Sequence, residues 1–358
     1  PPRSTLFPYT TLFRSLMKAV YDKAHWQRHP KTELDGGQLV TPYESPERAE
    51  YVKSSVTESG IAQWLDPKDF GLAAITRTHD AAYIDFLTTC WQQWQDTGKA
   101  GEAIPAVWPG RRMQQVVPTD IDGQLGYYSF AAESSISDGT WEAAYASCQV
   151  ALTAAEQVGH GEHAFGLCRP PGHHAAFDYF GGYCFINNAA VCAQYLLDQG
   201  DQKIAILDVD FHHGNGTQDI FYRRADVHFF SLHGDPLLVF PHFSGYENEI
   251  GAGPGEGANH NWVYGPGTTF AQWQVGLNEA LQLIQAGGFD RLIISLGVDT
   301  FEHDPISFFK LTTDDYLSVG AAIASVQLPT LFLLEGGYAV EAIGVNVAKV
   351  LIGFEQQP

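Results

Sequence analysis

Residues 203–215 read KIAILDVDFHHGN. Ile204 to Leu207 form an unbroken apolar run of strand length, the signature of a strand buried on both faces of a parallel sheet. The run then breaks into Asp208, Asp210, His212 and His213, which have no place in a core unless they do chemistry. The same pattern recurs downstream. VHFFSL (227–232), RLIISLGVD (291–299) and TLFLLEGGY (330–338) each run apolar and end in polar residues or glycine. MKAVYDKAH, from Met17, reads as a first strand. The intervening WEAAYASCQVALTAAEQV (141–158), FINNAAVCAQYLLDQG (185–200), FAQWQVGLNEALQLIQAGG (270–288) and TDDYLSVGAAIASV (313–326) read as helices. Strand and helix in alternation predict a doubly wound α/β domain with a mainly parallel sheet flanked by helices.

In such sheets ligands gather beyond the carboxyl ends of the strands. Asp210, His212 and Asp299 are therefore read as a metal set. Two carboxylates and an imidazole suit a zinc-type ion and leave a position open for water or substrate. In extended chain residues two apart point the same way, so Asp210 and His212 can reach one ion together. Asp208 shares that parity, but a third carboxylate would overload a small ion, so it is assigned to a supporting or alkali-metal role. His173 and His174, adjacent in RPPGHHA (169–175), suit acid–base chemistry near neutral pH, whereas His163 and His228 are read as structural. Tyr338, after two glycines, could present a phenol to a developing oxyanion. The glycine-rich 251–261 lacks a phosphate-loop pattern and is read as a turn-rich loop.

Composition narrows the class. The 358 residues carry 20 basic and 41 acidic side chains, a net charge of −21 that disfavours nucleic acid and attracts cations. No apolar run approaches the roughly 18 residues of a membrane span. Cys90, Cys148, Cys168, Cys184 and Cys192 are odd in number and unpaired in spacing, which points to a reducing compartment and hence the cytoplasm. Residues 1–16 are read as foreign: Leu6 to Ser15, LFPYTTLFRS, resembles one reading frame of a common short-read sequencing adapter. It has neither the apolar stretch nor the cleavage site of a signal peptide. One domain is expected over 17–358, interrupted at about 91–126 by an excursion rich in Trp, Gly and Pro.

RPPGHHA, GGYCFINNAA (181–190), ILDVDFHHGNGTQDIFY (206–222), SLHGDP (231–236), LGVDTFEHDP (296–305) and LEGGY (334–338) together resemble the arginase–deacetylase superfamily on its histone-deacetylase-like branch. KTEL (31–34), PTDIDGQLGYY (118–128) and LGVDTFEHDPISFFKLT bring the resemblance closer to the bacterial acetylpolyamine amidohydrolases. The resemblance implies the arginase–deacetylase fold and one zinc ion per chain on Asp210, His212 and Asp299. It implies His174 as general base and then acid, partnered by Asn215, and His173, paired with Asp208, as the more electrostatic histidine. Tyr338 would polarise the acetyl carbonyl. Tyr183 and Phe243 would line a narrow channel, with Glu33, Asp122 and Glu133 as acidic groups for a polyamine's distal ammonium. Asp208, Ser231 and Leu232 would hold a structural potassium ion. Asn215 stands where the nuclear class I enzymes have Asp, as in the polyamine and class II branches. The 91–126 excursion, with Trp91, Trp94 and Trp108, would be an arm that makes a homodimer and roofs the site.

The implied reaction is hydrolysis of the acetyl amide of acetylated polyamines; the alternative is a protein-lysine deacetylase of broad substrate range. An arginase-like enzyme would need two metals and has no use for RPPGHHA. A non-catalytic binding module would not need Tyr338.

Overall fold

The structure, a computed structural model, describes residues 16–356, so the reading of Leu6 to Ser15 lies outside the described residues. The strands are β1 (Met17–Val20), β2 (Glu33–Asp35), β3 (Gln38–Val40), β4 (Ala62–Leu65), β5 (Ala164–Gly166), β6 (Ile204–Asp208), β7 (Val227–Gly234), β8 (Asn259–Tyr264), β9 (Arg291–Leu296) and β10 (Thr330–Leu334). Eight of them form one sheet in the order β4-β1-β5-β10-β9-β6-β7-β8, while β2 and β3 pair as a separate hairpin. Every pairing in the large sheet is parallel.

Apolar runs become doubly buried strands because successive side chains point to opposite faces. On β6, Ala205 and Leu207 join one core while Ile204 and Ile206 join the other. On β10, Phe332 and Leu334 face the first core and Leu331 and Leu333 the second. Helices Glu47–Ser59, Phe270–Ala286, Asp315–Ala324 and Val340–Glu355 contribute to the first core, and Thr140–Gly159 and Asn188–Asp198 to the second. Among the described residues no helix is long and apolar enough to cross a membrane.

Three strands of the large sheet escape the sequence pattern, as does the β2–β3 hairpin. β5 has only three residues, and β4 and β8 lie at the sheet edges with most residues half-buried, so neither alternation nor an apolar run marks them. The glycine-rich 251–261 is a loop only as far as Ala258, because Asn259 opens β8. The 91–126 excursion also needs redrawing. Trp91 and Trp94 belong to helix Ala81–Asp96, and Trp94 is buried in a third core with Phe86 and Tyr128. Their aromatic surface is spent on their own domain. The irregular segment begins at Thr97 and ends at helix Ile121–Tyr127.

Candidate active site

Chain reversals beyond β5, β6, β9 and β10, four neighbours in the sheet, bring the polar strand ends together. Asp210, His212 and Asp299 are buried, with ligand atoms within 4.8 Å of one another. Backbone amides aim them: His212 N–H donates to Asp210 Oδ1 (2.8 Å), Gly336 N–H to Asp210 Oδ2 (2.8 Å) and Phe211 N–H to Asp299 Oδ1 (2.8 Å). His212 Nδ1 lies 3.1 Å from Asp299 Oδ2 and 3.4 Å from Asp210 Oδ1. A Cβ on Gly336 would stand 2.5 Å from a carboxylate oxygen of each aspartate, so only glycine fits. Burial and the neighbouring Asp210 push the Asp299 carboxyl well up, since two adjoining buried carboxylates resist ionising together. A divalent cation removes that conflict, and the two-oxygen, one-nitrogen donor set suits zinc.

The tandem histidines have different partners. His173 Nδ1 lies 3.0 Å from Asp208 Oδ2. Burial opposes its charge, but Asp208 and Asp210 outweigh that and hold its pKa at about 10. His174 Nδ1 instead meets Asn215 Oδ1 at 2.7 Å. Burial and the neighbouring His173 and His212 drive its pKa well below 6.5, so at neutral pH it is an uncharged base. Asn215 accepts the Nδ1 proton and thereby leaves Nε2 free. Gly182 makes room for this ring: its φ is +56°, and a Cβ there would lie 2.2 Å from the imidazole.

Tyr338 is buried, with its ring 4.7 Å from the Arg48 guanidinium carbon. Burial raises its pKa well above 10, so the phenol keeps its proton. Asp304, absent from the sequence reading as a site residue, accepts the Tyr338 backbone N–H at 2.7 Å. Arg48 donates to the carbonyl of Gly337 (Nε, 2.6 Å) and to that of Glu335 (Nη2, 2.6 Å).

A cavity of about 320 Å³ leads to His174, His212 and Tyr338. Tyr183 lines it, held at φ +65°, and donates its hydroxyl to Glu33 Oε1 at 2.6 Å. Glu33, on the hairpin, and Glu133 are both in the wall. Burial raises Glu33 to about 7 and also raises Glu133, which accepts Gly182 N–H at 2.7 Å.

Two expected wall residues are elsewhere. Phe243 is 84% exposed and outside the lining, because the chain turns at Pro241 and His242 and presents Phe240 instead. The Phe240 ring stands edge-on to His174 at 5.0 Å. Asp122 is exposed on helix Ile121–Tyr127, paired with Lys99 and not part of this cavity. Ser231 faces Asp208 across the β6–β7 pair, with Leu232 beside it; its hydroxyl meets His233 Nδ1 at 2.8 Å.

Comparison with known proteins gives the family and the fold. Residues 42–353 match the model of the histone deacetylase domain. The chain is 54% identical to an acetylpolyamine amidohydrolase of Mycoplana ramosa, over 94% of this chain and 99% of that one. It is 51% identical to acetylpolyamine amidohydrolase 1 of Pseudomonas aeruginosa, over 95% and 99% of the two chains. The crystal structure of an acetylpolyamine aminohydrolase from Burkholderia pseudomallei superposes with a TM-score of 0.90 at 35% identity, covering 95% of this chain and 99% of that one.

Proposed function

We propose, from the premise that this chain belongs to the histone deacetylase family, that it hydrolyses the acetyl amide of acetylated polyamines to acetate and free amine. The observation that carries the substrate class is the cavity wall: Glu33, Asp35 and Glu133 line it, and among the described residues no lysine or arginine does. A slim cationic chain has its charge met there, and the net charge of −21 draws it in.

Zinc, which Asp210, His212 and Asp299 would hold, would supply a Lewis acid for the acetyl carbonyl and would lower the pKa of water. The protein's own groups do the rest. His174 Nε2 takes a proton from the attacking water, whose oxygen bonds to the acetyl carbon. The Tyr338 hydroxyl donates a hydrogen bond to the carbonyl oxygen as negative charge grows on it. His174 then returns the proton to the departing nitrogen, the C–N bond breaks, and acetate and amine leave. His173, held charged by Asp208, adds positive potential beside the reacting centre. Asp208, Ser231 and Leu232 would hold a structural potassium ion behind it. The five cysteines are all free and buried, which supports a cytoplasmic setting.

The rim makes the reading testable by pH. Glu33 sits near 7, so it is neutral below that value and a carboxylate above it. The KM for acetylputrescine is expected to fall as pH rises from 6 to 8. Glu33→Gln is expected to remove most of that fall while sparing kcat. An identical KM profile in the variant would take Glu33 out of substrate recognition.

We also propose a homodimer. With Trp94 buried at home, the support lies in the aliphatic side chains of the irregular segment: Val107, Met113, Val116 and Val117 are 42–66% exposed. Apolar exposure of this kind on one segment marks a contact surface. Met113→Asp together with Val116→Asp is expected to give a monomer in sedimentation and a raised KM for acetylpolyamines. A wild-type chain that is already monomeric at micromolar concentration would refute the assembly.

A further inference from the structure

The reaction needs two loops in register: residues 169–175, which carry both histidines, and the turn that carries Tyr338. One buried side chain joins them. Glu335 follows β10, three residues before Tyr338, and is fully buried. Its Oε2 accepts the backbone N–H of Gly172 at 2.7 Å and that of His173 at 3.2 Å. Arg48 pins its carbonyl and that of Gly337, so the Tyr338 side of the bridge is itself fixed.

The other oxygen is the second observation. Glu335 Oε1 is buried without a hydrogen-bond partner. A carboxylate oxygen of Glu335 lies within 4.8 Å of ligand atoms of His173 and Cys184. The sheet needs no carboxylate here, for Leu333 and Leu334 end the strand without one. Burying a partly satisfied carboxylate is unfavourable. Stability alone therefore does not account for it.

We propose that Glu335 is a positioning residue. Through the hydrogen bonds of Oε2 it holds His173 and His174 at a fixed separation from the Tyr338 hydroxyl. The inference rests on the deacetylase reading for its effect on rate, but its structural half stands apart from that reading. Reach, not charge, is what such a bridge needs. Glu335→Gln keeps the length and an acceptor oxygen; Glu335→Asp keeps the charge and falls short by one methylene.

Both variants would be made in the full chain, loaded with zinc, and compared with wild type for acetate release from acetylputrescine, thermal melting, and amide hydrogen exchange at Gly172 and His173. Glu335→Gln is expected to stay within about threefold of the wild-type kcat. Glu335→Asp is expected to lose about ten- to a hundredfold in kcat with KM nearly unchanged, since a displacement near 1 Å can cost that much. Its Gly172 and His173 amides should exchange faster than those of wild type. The reverse order, with Asp active and Gln impaired, would show that charge matters and overturn the proposal. So would a shared loss of melting temperature with kcat unchanged, which is a purely structural role. If wild type releases no acetate, the functional reading fails, and the exchange experiment alone decides the bridge: unchanged protection in Glu335→Asp would refute it.

Discussion

Asp299→Asn is expected to abolish bound zinc and turnover together while leaving the fold intact. The amide oxygen can still accept the Phe211 N–H, so the backbone beyond β6 keeps its course. What is lost is the second carboxylate facing His212 Nδ1. Metal polarisation of a carbonyl supplies several kcal/mol to the transition state. At about 1.4 kcal/mol per tenfold, the variant should fall by three or more orders of magnitude. Stability should move the other way. In metal-free protein two adjoining buried carboxylates oppose each other, and removing one charge should hold or raise the melting temperature. Metal content by elemental analysis, activity and melting together check this. Wild-type turnover in a zinc-free Asp299→Asn protein would overturn the metal assignment.

Tyr338→Phe is the second large effect. The ring that packs on Arg48 and approaches Tyr183 at 5.7 Å remains, so the cavity keeps its shape. Only the hydroxyl goes, and with it a hydrogen bond that strengthens as charge develops on the carbonyl oxygen. Removing one such donor costs on the order of a hundred- to a thousandfold in kcat. Zinc content and KM should stay close to wild type, because the ground state loses little. A kcat within a few-fold of wild type would remove Tyr338 from the reaction. A large rise in KM instead would make it a binding residue.

Much of the site was legible because buried parallel strands are so uniformly apolar. Asp210, His212, Asp299, His173, His174 and Tyr338 stand out against such strands or in the turns beyond them, Asn215 came only from the family resemblance, and the fold brings them all into one place. Glu33, Glu133 and Tyr183, which the resemblance gave as substrate-binding residues, line the cavity. What stayed hidden depends on loop paths and on partners distant in sequence. Phe240 and Phe243 are equivalent on paper; the turn between them decides which faces His174. Asp122 reads as a free carboxylate until Lys99 is seen beside it. Trp91 and Trp94 look like loop aromatics because helix Ala81–Asp96 has polar residues between them. Glu335 and Asp304 carry no motif of their own, and their importance lies in backbone amides that only the folded chain brings to them.

The most direct test of the central claim is kcat/KM of the zinc-loaded protein for acetylputrescine, acetylcadaverine and acetylspermidine against an acetyl-lysine peptide, in one buffer. The acidic cavity wall leads us to expect acetate release from all the small amides, with at least one acetylpolyamine ahead of the peptide by about tenfold or more. A peptide turned over as well as every acetylpolyamine, or better, would contradict the account and favour a protein-lysine deacetylase.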